Sequence, residues 1–208
     1  MPEYLAQVDR AHNRPEPAPG EAPANIDMML AMLDVDRFKR VNDEYGHDAG
    51  DKVLVQLGAL LRTAVRDMDT VARWGGEEFL LVMRNSCRTE GHVIAERVRN
   101  LIASHPFELS GGRVLHCTCS IGFAFYPVLS GHPRTFAWET VVVMADRCLI
   151  AAKRSGRNTW VGLTVPEGAD PDLLKRKLPG DLGGLVRSGL LRPATSLRDP
   201  DAIVWGPR

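Results

Sequence analysis

The sequence predicts an α/β or α+β domain with a single layered core, because strand-like and helix-like segments alternate along most of the chain. Three observations support this fold class. Met28–Leu33 is a continuous apolar run that indicates a buried strand, although its periodicity also permits a short helix. Residues 51–66 and 90–104 each place their apolar side chains on one helical stripe. Residues 114–126 alternate in polarity, as a half-buried strand does.

From Ile26 onward, the predicted order of elements is strand, helix, helix, hairpin, helix, strand pair and helix. The second helix is expected over Asp51–Arg66. The third is expected over Glu90–Ser104, because Pro106 follows and stops it. The last helix of the core is expected over Trp138–Ser155, with a glycine directly after it.

The two ends of the chain differ in composition from this core. Residues 1–25 contain a proline-rich stretch, which predicts an N-terminal linker. Residues 26–163 are expected to form the folded domain. Residues 164–208 are rich in glycine and proline and have little apolar periodicity, so we expect a loosely ordered C-terminal extension with one helical piece at Asp172–Lys177.

The composition is that of an ordinary soluble domain, with 44% hydrophobic and 25% charged residues among 208. Lys and Arg together number 26, as do Asp and Glu, so no overall basic field attracts nucleic acid or an anionic membrane. The sequence contains no apolar stretch of membrane-spanning length and no secretory signal. We therefore expect a cytoplasmic protein with reduced cysteines and no membrane segment.

The most informative motif lies within residues 70–80. Gly75 and Gly76 separate two strand-like runs and predict a tight hairpin, because both accept a positive φ without steric cost. Glu77 and Glu78 then lie on or just after its tip. Two acids beside bare backbone suit a divalent metal and a phosphate chain, although an ordinary acidic turn is the alternative.

Asp34 directly follows the first apolar run, at the exit of a predicted buried strand, where ligands bind in α/β sheets. If this strand lies beside the Gly75-Gly76 hairpin, Asp34 and Glu77 can share one hard cation. The alternative is that Asp34 caps the helix that follows.

Several separated motifs, in order and spacing, resemble the GGDEF family of diguanylate cyclases over roughly residues 27–162. The matching residues are Asp34-Val35-Asp36, Phe38-Lys39, Asn42-Asp43, Gly46-His47, Gly50-Asp51, Arg73–Phe79, Ser120–Gly122, Ala145-Asp146, Leu149, Lys153 and Ser155–Asn158. The name-giving motif reads Gly-Gly-Glu-Glu-Phe here. The resemblance implies a palm-like α+β fold with a mostly antiparallel sheet flanked by helices. It also implies a homodimer that joins two GTP into cyclic di-GMP and releases pyrophosphate.

Asp34 and Glu77 are the expected ligands of Mg²⁺ (or Mn²⁺), with the Val35 carbonyl and Glu78 as further oxygen ligands. In the family that the chain resembles, the residue at Glu77 also accepts the proton of the attacking hydroxyl. Lys39 is expected to stabilise charge on the phosphates, and its alternative is a solvated helix lysine.

Lys153 and Arg157 are four residues apart near a predicted helix end, which predicts that they share one side of the helix, and we expect them to clamp the β- and γ-phosphates. Their alternative is to offset the helix dipole. Gly75 and Gly76 leave room for the triphosphate, which a side chain would obstruct.

An amide and a carboxylate complement the edge of guanine, and the resembled family uses the positions of Asn42 and Asp51 in this way. Helix capping is the alternative for both residues. His47 either contacts the nucleotide or has a structural role.

Arg66 and Asp69 form an Arg-x-x-Asp motif, which in the resembled family is an inhibitory site that binds the product. Arg97 matches a second arginine of that site. The resemblance therefore implies feedback inhibition by cyclic di-GMP, and salt bridging at a helix end is the alternative.

One family signature, Asp-x-Leu-Thr-Gly-x-x-Asn-Arg before the first strand, has only Asn13-Arg14 as a faint counterpart. Its absence favours a second hypothesis, a catalytically weak or inactive receptor that binds GTP or cyclic di-GMP and signals to a partner. The intact metal and nucleotide residues favour the enzyme.

Overall fold

The computed structural model describes residues 27–206, and within them a six-stranded sheet has the order β2-β3-β1-β6-β7-β8. Its strands are β1 (Met28–Val35), β2 (Thr70–Gly75), β3 (Glu78–Met83), β6 (Cys119–Tyr126), β7 (Trp160–Thr164) and β8 (Arg192–Thr195), and a separate hairpin pairs β4 (Phe107–Glu108) with β5 (Val114–Leu115). Only β6 and β7 pair in parallel among the described strands. The helices are α1 (Phe38–Tyr45), α2 (His47–Ala64), α3 (Gly91–Ser104), α4 (Trp138–Arg154), α5 (Pro171–Lys177) and α6 (Leu182–Arg187).

The mostly antiparallel sheet with helices on both faces confirms the predicted fold class. All eight residues of β1 are buried, so the apolar run is a strand and the short-helix alternative is wrong. Its side chains alternate between two hydrophobic clusters, as the period of two requires. One cluster lies under α1, α2 and α3, and the other lies under α4, α5 and α6.

The predicted single strand over residues 114–126 is divided in the structure. Val114–Leu115 belongs to the small hairpin, and the sheet strand begins only at Cys119. The expectation of a half-buried strand was also wrong, because helices cover both faces of β6. Its Gly122 packs so tightly on α4 that a Cβ there would lie 2.0 Å from the backbone nitrogen of Leu149.

The helix predicted from Asp51 begins four residues earlier, at His47. Gly46, with a φ of 87°, ends α1 and immediately precedes α2, so a single residue separates the two helices. The predicted helix over residues 90–104 corresponds to α3 within one residue, and that over residues 138–155 to α4.

The expectation of a loosely ordered C-terminal extension was wrong for residues 164–206. This segment forms α5, α6 and β8, and β8 pairs with β7 at the edge of the sheet. Its buried apolar side chains join the cluster under α4 and are Leu174, Leu178, Leu182, Leu185, Leu191 and Ile203. The helical piece predicted at Asp172–Lys177 is confirmed as α5. The helix α6 was not predicted, because it spans fewer than two turns and buries too few residues to produce a visible periodicity.

The predicted linker at residues 1–25 lies outside the described residues. Among residues 27–206, no helix is both long and apolar enough to cross a membrane.

Candidate functional site

The strand register brings Asp34 beside the glycine hairpin. Asp34 lies opposite Glu78 in β3 and opposite Ser120 in β6. Gly75 pairs with Glu78, so Gly76 and Glu77 form a two-residue loop between β2 and β3. The convergence of Asp34 with the two glutamates, which the sequence predicted from residues more than forty positions apart, is present in the structure.

The hairpin tip is exposed and closed by local contacts. Gly76 has a φ of 47°, a left-handed conformation that favours glycine. Arg73 donates a hydrogen bond from Nε to the Gly76 carbonyl oxygen at 2.9 Å. Among the described residues, no atom outside the immediate chain lies within 4 Å of the position that a Cβ would take on Gly75 or Gly76. The glycines therefore leave open space above the tip.

Asp34 is buried and paired with a cation. Lys153 on α4 places its Nζ 2.6 Å from Asp34 Oδ2. The pKa of Asp34 is raised to about 6, mainly by burial and in smaller part by the charges of Glu77 and Glu78, against the opposing effect of the Lys153 hydrogen bond and charge. The three carboxylates therefore lie close enough to repel one another.

These carboxylates suit a divalent cation in chemistry and charge, because a cation relieves their repulsion and hard cations take oxygen ligands. The Val35 carbonyl, at the last position of β1, adds a neutral oxygen beside them. Across residues 27–206, however, no group of three or more His, Cys, Asp or Glu side chains is assembled to hold a metal ion. Lys153 occupies Asp34 instead, so metal binding requires these side chains to rearrange.

The helices exclude the capping alternatives for three predicted site residues. The residue before α1 is Arg37, so Asp34 does not cap that helix. Asn42 lies within α1 and Asp51 within α2, and neither is at a helix start. A Cβ on Gly50 would lie 2.0 Å from Asn42 Oδ1, so the Asn42 amide packs directly against the residue before Asp51.

The other predicted nucleotide residues are exposed. Lys39 lies in the first turn of α1, and His47 begins α2. Arg157 follows the end of α4 and adopts a φ of 66°, so the prediction that it shares a helix side with Lys153 was wrong. Arg157 and Arg40 both line a cleft of about 400 Å³. Within α1, Arg40 lies on a different face from Lys39.

Asp36 has a structural role that sequence reasoning missed. Its buried carboxylate accepts hydrogen bonds from Thr118 Oγ1 at 2.7 Å, Ser120 Oγ at 2.6 Å and the backbone amide of Asn158 at 2.9 Å. The last of these fixes the backbone next to Arg157. The available signal was the second carboxylate of the Asp-Val-Asp motif.

A cluster on α3 was also missed. Glu96 accepts hydrogen bonds from the guanidinium of Arg99 and from Trp160 Nε1, the latter at 2.8 Å. The Arg99 hydrogen bonds lower the pKa of Glu96 to about 2. Arg99 also donates to Asn158 Oδ1 at 2.8 Å, so α3 is tied to the loop that carries Arg157.

The predicted inhibitory residues surround one cavity of about 230 Å³, which Arg66, Asp69 and Arg97 all line. The Asp69 carboxylate is buried and accepts from the backbone amides of Arg66 and Arg84, both at 2.9 Å. Arg97 donates to the Ala64 carbonyl at 2.9 Å. Two of the three side chains thus have local structural contacts, and Arg66 is exposed.

The chain is similar to bacterial proteins, several of which are named diguanylate cyclases. A family model described as diguanylate cyclase, GGDEF domain, matches residues 20–159. Diguanylate cyclase DgcP of Pseudomonas aeruginosa is 42% identical over 132 residues, which cover 64% of this chain and 19% of DgcP. YhcK of Bacillus subtilis, an uncharacterised protein, is 40% identical over 129 residues, covering 62% of this chain and 34% of YhcK. The chain thus matches about a fifth to a third of these relatives' lengths.

Solved structures lead to the same family. The active GGEEF domain of a diguanylate cyclase from Vibrio cholerae superposes with a TM-score of 0.60 at 28% identity, covering 75% of this chain and 86% of that one. The GGDEF domain of DgcB from Caulobacter crescentus, in complex with c-di-GMP, superposes with a TM-score of 0.56 at 31% identity, covering 74% and 84%. Two thirds of the chain match the family model, and the carboxylates at the glycine hairpin lie where its motifs predict. The chain therefore belongs to the GGDEF-domain family.

Proposed function

We propose that this chain is a diguanylate cyclase that condenses two GTP into cyclic di-GMP with release of two pyrophosphates. The observation that carries the proposal is the meeting of Asp34, Glu77 and Glu78 at a bare glycine turn, with Lys153 beside them. The relatives named diguanylate cyclases support it.

Guanine recognition falls to Asn42 and Asp51, which α1 and α2 hold on adjoining surfaces. An amide oxygen and a carboxylate accept from the donors of guanine, and adenine lacks this arrangement of donors. His47, exposed one turn before Asp51, lies near enough along α2 to face the same nucleotide. The open space above Gly75 and Gly76 admits the triphosphate.

The phosphates are held by cationic side chains. Lys39 is exposed at the start of α1, and Lys153 and Arg157 come from the end of α4 and the loop after it. Lys153 neutralises Asp34 in the absence of nucleotide, and its ammonium would bind the phosphates when the triphosphate is present.

Asp34, Glu77, Glu78 and the Val35 carbonyl would hold the metal, which we assign as Mg²⁺ or Mn²⁺ because the donors are all oxygen atoms. When bound, this metal neutralises phosphate charge and lowers the pKa of the attacking 3′-hydroxyl. Glu77, at the exposed tip, accepts that proton. Two such sites facing each other in a homodimer place each hydroxyl in line with the other nucleotide's α-phosphorus.

Feedback inhibition by cyclic di-GMP is proposed at the cavity lined by Arg66, Asp69 and Arg97. The exposed guanidinium of Arg66 can pair with a guanine edge or a phosphate through its planar fork. Asp69 fixes the backbone at Arg66 and at Arg84, so its main contribution is to shape the site.

The test is incubation with GTP and MgCl₂ at increasing protein concentration, with chromatography of the products. Glu77→Gln is expected to lower the rate by more than about 100-fold, because it removes a metal ligand and the proton acceptor. Glu108→Gln is the matched control, since Glu108 is exposed on β4, away from the Gly75-Gly76 hairpin. This variant is expected to retain the wild-type rate.

A folded wild-type protein that makes no cyclic di-GMP at any concentration would contradict the enzyme proposal. The second candidate, a receptor of GTP or cyclic di-GMP that signals to a partner, then stands. The observation that favours it is the Asp34–Lys153 ion pair in place of an assembled metal site.

A further inference from the structure

The segment Ser155–Trp160 connects α4 to β7 and carries Arg157, and it directly follows Lys153 and Arg154 at the end of α4. Two contacts hold it from within the domain. Asp36 accepts a hydrogen bond from the Asn158 amide, and Arg99 donates to the Asn158 side chain. Both contacts act on the middle of the segment.

The C-terminal extension holds the two ends of the same segment. The Val204 amide donates to Ser155 Oγ at 2.9 Å. Ser196 Oγ shares a 2.6 Å hydrogen bond with Thr159 Oγ1 and accepts from the Trp160 amide at 3.3 Å. Ser155 lies between Lys153 and Arg157, so its contact with Val204 falls between the two proposed phosphate cations.

These contacts are in a part of the molecule where lost hydrogen bonds are costly. Thr159 and Trp160 are 2% and 5% exposed, so water does not readily replace a missing partner. Thr195 Oγ1 adds a further contact by donating to the Trp160 carbonyl at 2.9 Å. The end of the segment is thus fixed by residues 195–196.

The extension is itself firmly attached to the domain. Leu191 and Ile203 are buried in the cluster under α4. Arg147 on α4 donates to the carbonyls of Leu178, Pro179 and Gly180, at 3.3, 3.0 and 2.8 Å. The extension lies beyond the residues that match the family model, which end at 159.

We propose that residues 195–204 of the C-terminal extension position the phosphate-binding cations of the active site through Ser155, Thr159 and Trp160. The proposal rests on the proposed function, because it assumes that Lys153 and Arg157 bind the GTP triphosphate. Ser196 and Val204 are positioning residues that act through the segment and do not touch the nucleotide.

The test is Ser196→Ala, with binding of a non-hydrolysable GTP analogue and of GMP measured by calorimetry in the presence of MgCl₂. Loss of the hydroxyl is expected to weaken binding of the GTP analogue roughly three- to tenfold. Binding of GMP, which lacks the β- and γ-phosphates, is expected to remain unchanged. A general loosening of the fold would weaken both ligands alike.

Ser188→Ala is the matched control, because Ser188 Oγ donates to the Leu185 carbonyl inside α6 and does not contact the segment. It is expected to bind both ligands as the wild type does. Ser155→Ala is a second variant that removes the acceptor of the Val204 amide, and it is expected to repeat the selective loss. It keeps the proposal testable if Ser196→Ala does not fold.

Two results would overturn the inference alone. One is that the wild type and Ser196→Ala bind the GTP analogue with equal affinity. The other is that Ser196→Ala loses affinity for the GTP analogue and for GMP to the same extent. A wild-type protein that binds neither ligand overturns the proposed function together with this inference. Lys153→Ala distinguishes failure of this inference from failure of the proposed function, since it is expected to weaken binding of the GTP analogue even where Ser196→Ala does not.

Discussion

The Gly75-Gly76 hairpin and the Ser155–Trp160 segment both carry residues of the proposed active site, yet they are held by different kinds of contact. The hairpin is fixed by the pairing of two adjacent strands and by the Arg73–Gly76 hydrogen bond, all within a few residues. The segment is fixed by Asp36, Arg99, Ser196 and other residues from distant parts of the chain. Local sequence therefore specifies the hairpin, whereas only the completed fold specifies the segment.

Because distant residues hold the segment Ser155–Trp160, we expect the largest loss of stability when one of these residues, Asp36, is substituted. Asp36→Ala is expected to lower the free energy of unfolding by about 3 kcal/mol, because two hydroxyls and one amide lose a buried acceptor. Urea unfolding followed by circular dichroism measures it. Asp43→Ala, at an exposed position of α1, is the control, and equal midpoints for the two variants would contradict the anchoring role.

A substitution in the hairpin is expected to affect stability less and turnover more. Gly76→Ala places a side chain at a φ of 47°, which costs about 1 kcal/mol. The added methyl group also narrows the space for the triphosphate. The rate of cyclic di-GMP formation is therefore expected to fall by more than the loss of folded protein alone would cause.

Thermal unfolding and the product assay, run on the same samples, separate these two effects of Gly76→Ala. Gly131→Ala is the control, because Gly131 is exposed, faces open space and lies far along the chain from the hairpin. Full activity in Gly76→Ala would mean that the triphosphate does not pass over the glycine turn.

The smallest effect is expected at Glu96, which supports the segment through Arg99 and Trp160. Its pKa is lowered in the fold, so its charge stabilises the protein above the unfolded-state pKa of about 4.5, and this contribution is lost as the pH falls towards 2. Because the carboxylate is partly exposed, Glu96→Gln is expected to cost at most about 1 kcal/mol at pH 7.

The measurement is urea unfolding of wild type and Glu96→Gln at several pH values between 7 and 3. The difference between the two proteins is expected to shrink below pH 4.5, because the unfolded state then gains a proton on Glu96 that the folded state, with a pKa of about 2, does not bind. A difference that grows as the pH falls would contradict the stabilising role of the charged carboxylate.

Sequence reasoning located the features that depend on neighbouring residues. The apolar run of β1, the helical stripes of α2 and α3 and the glycine turn all have a local signature, and these elements bring Asp34, Glu77 and Glu78 together. The predicted start of α2 was inaccurate, because the single residue Gly46 both ends α1 and precedes α2.

The features that sequence reasoning missed depend on long-range contacts. The partners of Asp36 lie 82, 84 and 122 residues away, and nothing in the local sequence identifies them. In the C-terminal extension the helix α5 was predicted, but α6 and β8 are too short for a periodic signal, and the order of the extension comes from packing against α4. The Lys153–Asp34 pair likewise follows from how α4 crosses β1.

The strand β8 also has a consequence for how concentrated solutions of the protein behave. It forms the outer edge of the sheet beside β7, and its four residues include Pro193, which has no N–H to offer a further strand. Short edge strands that contain proline discourage edge-to-edge addition of other chains. Sheet extension into fibrils is therefore disfavoured at this end of the molecule, even at high protein concentrations.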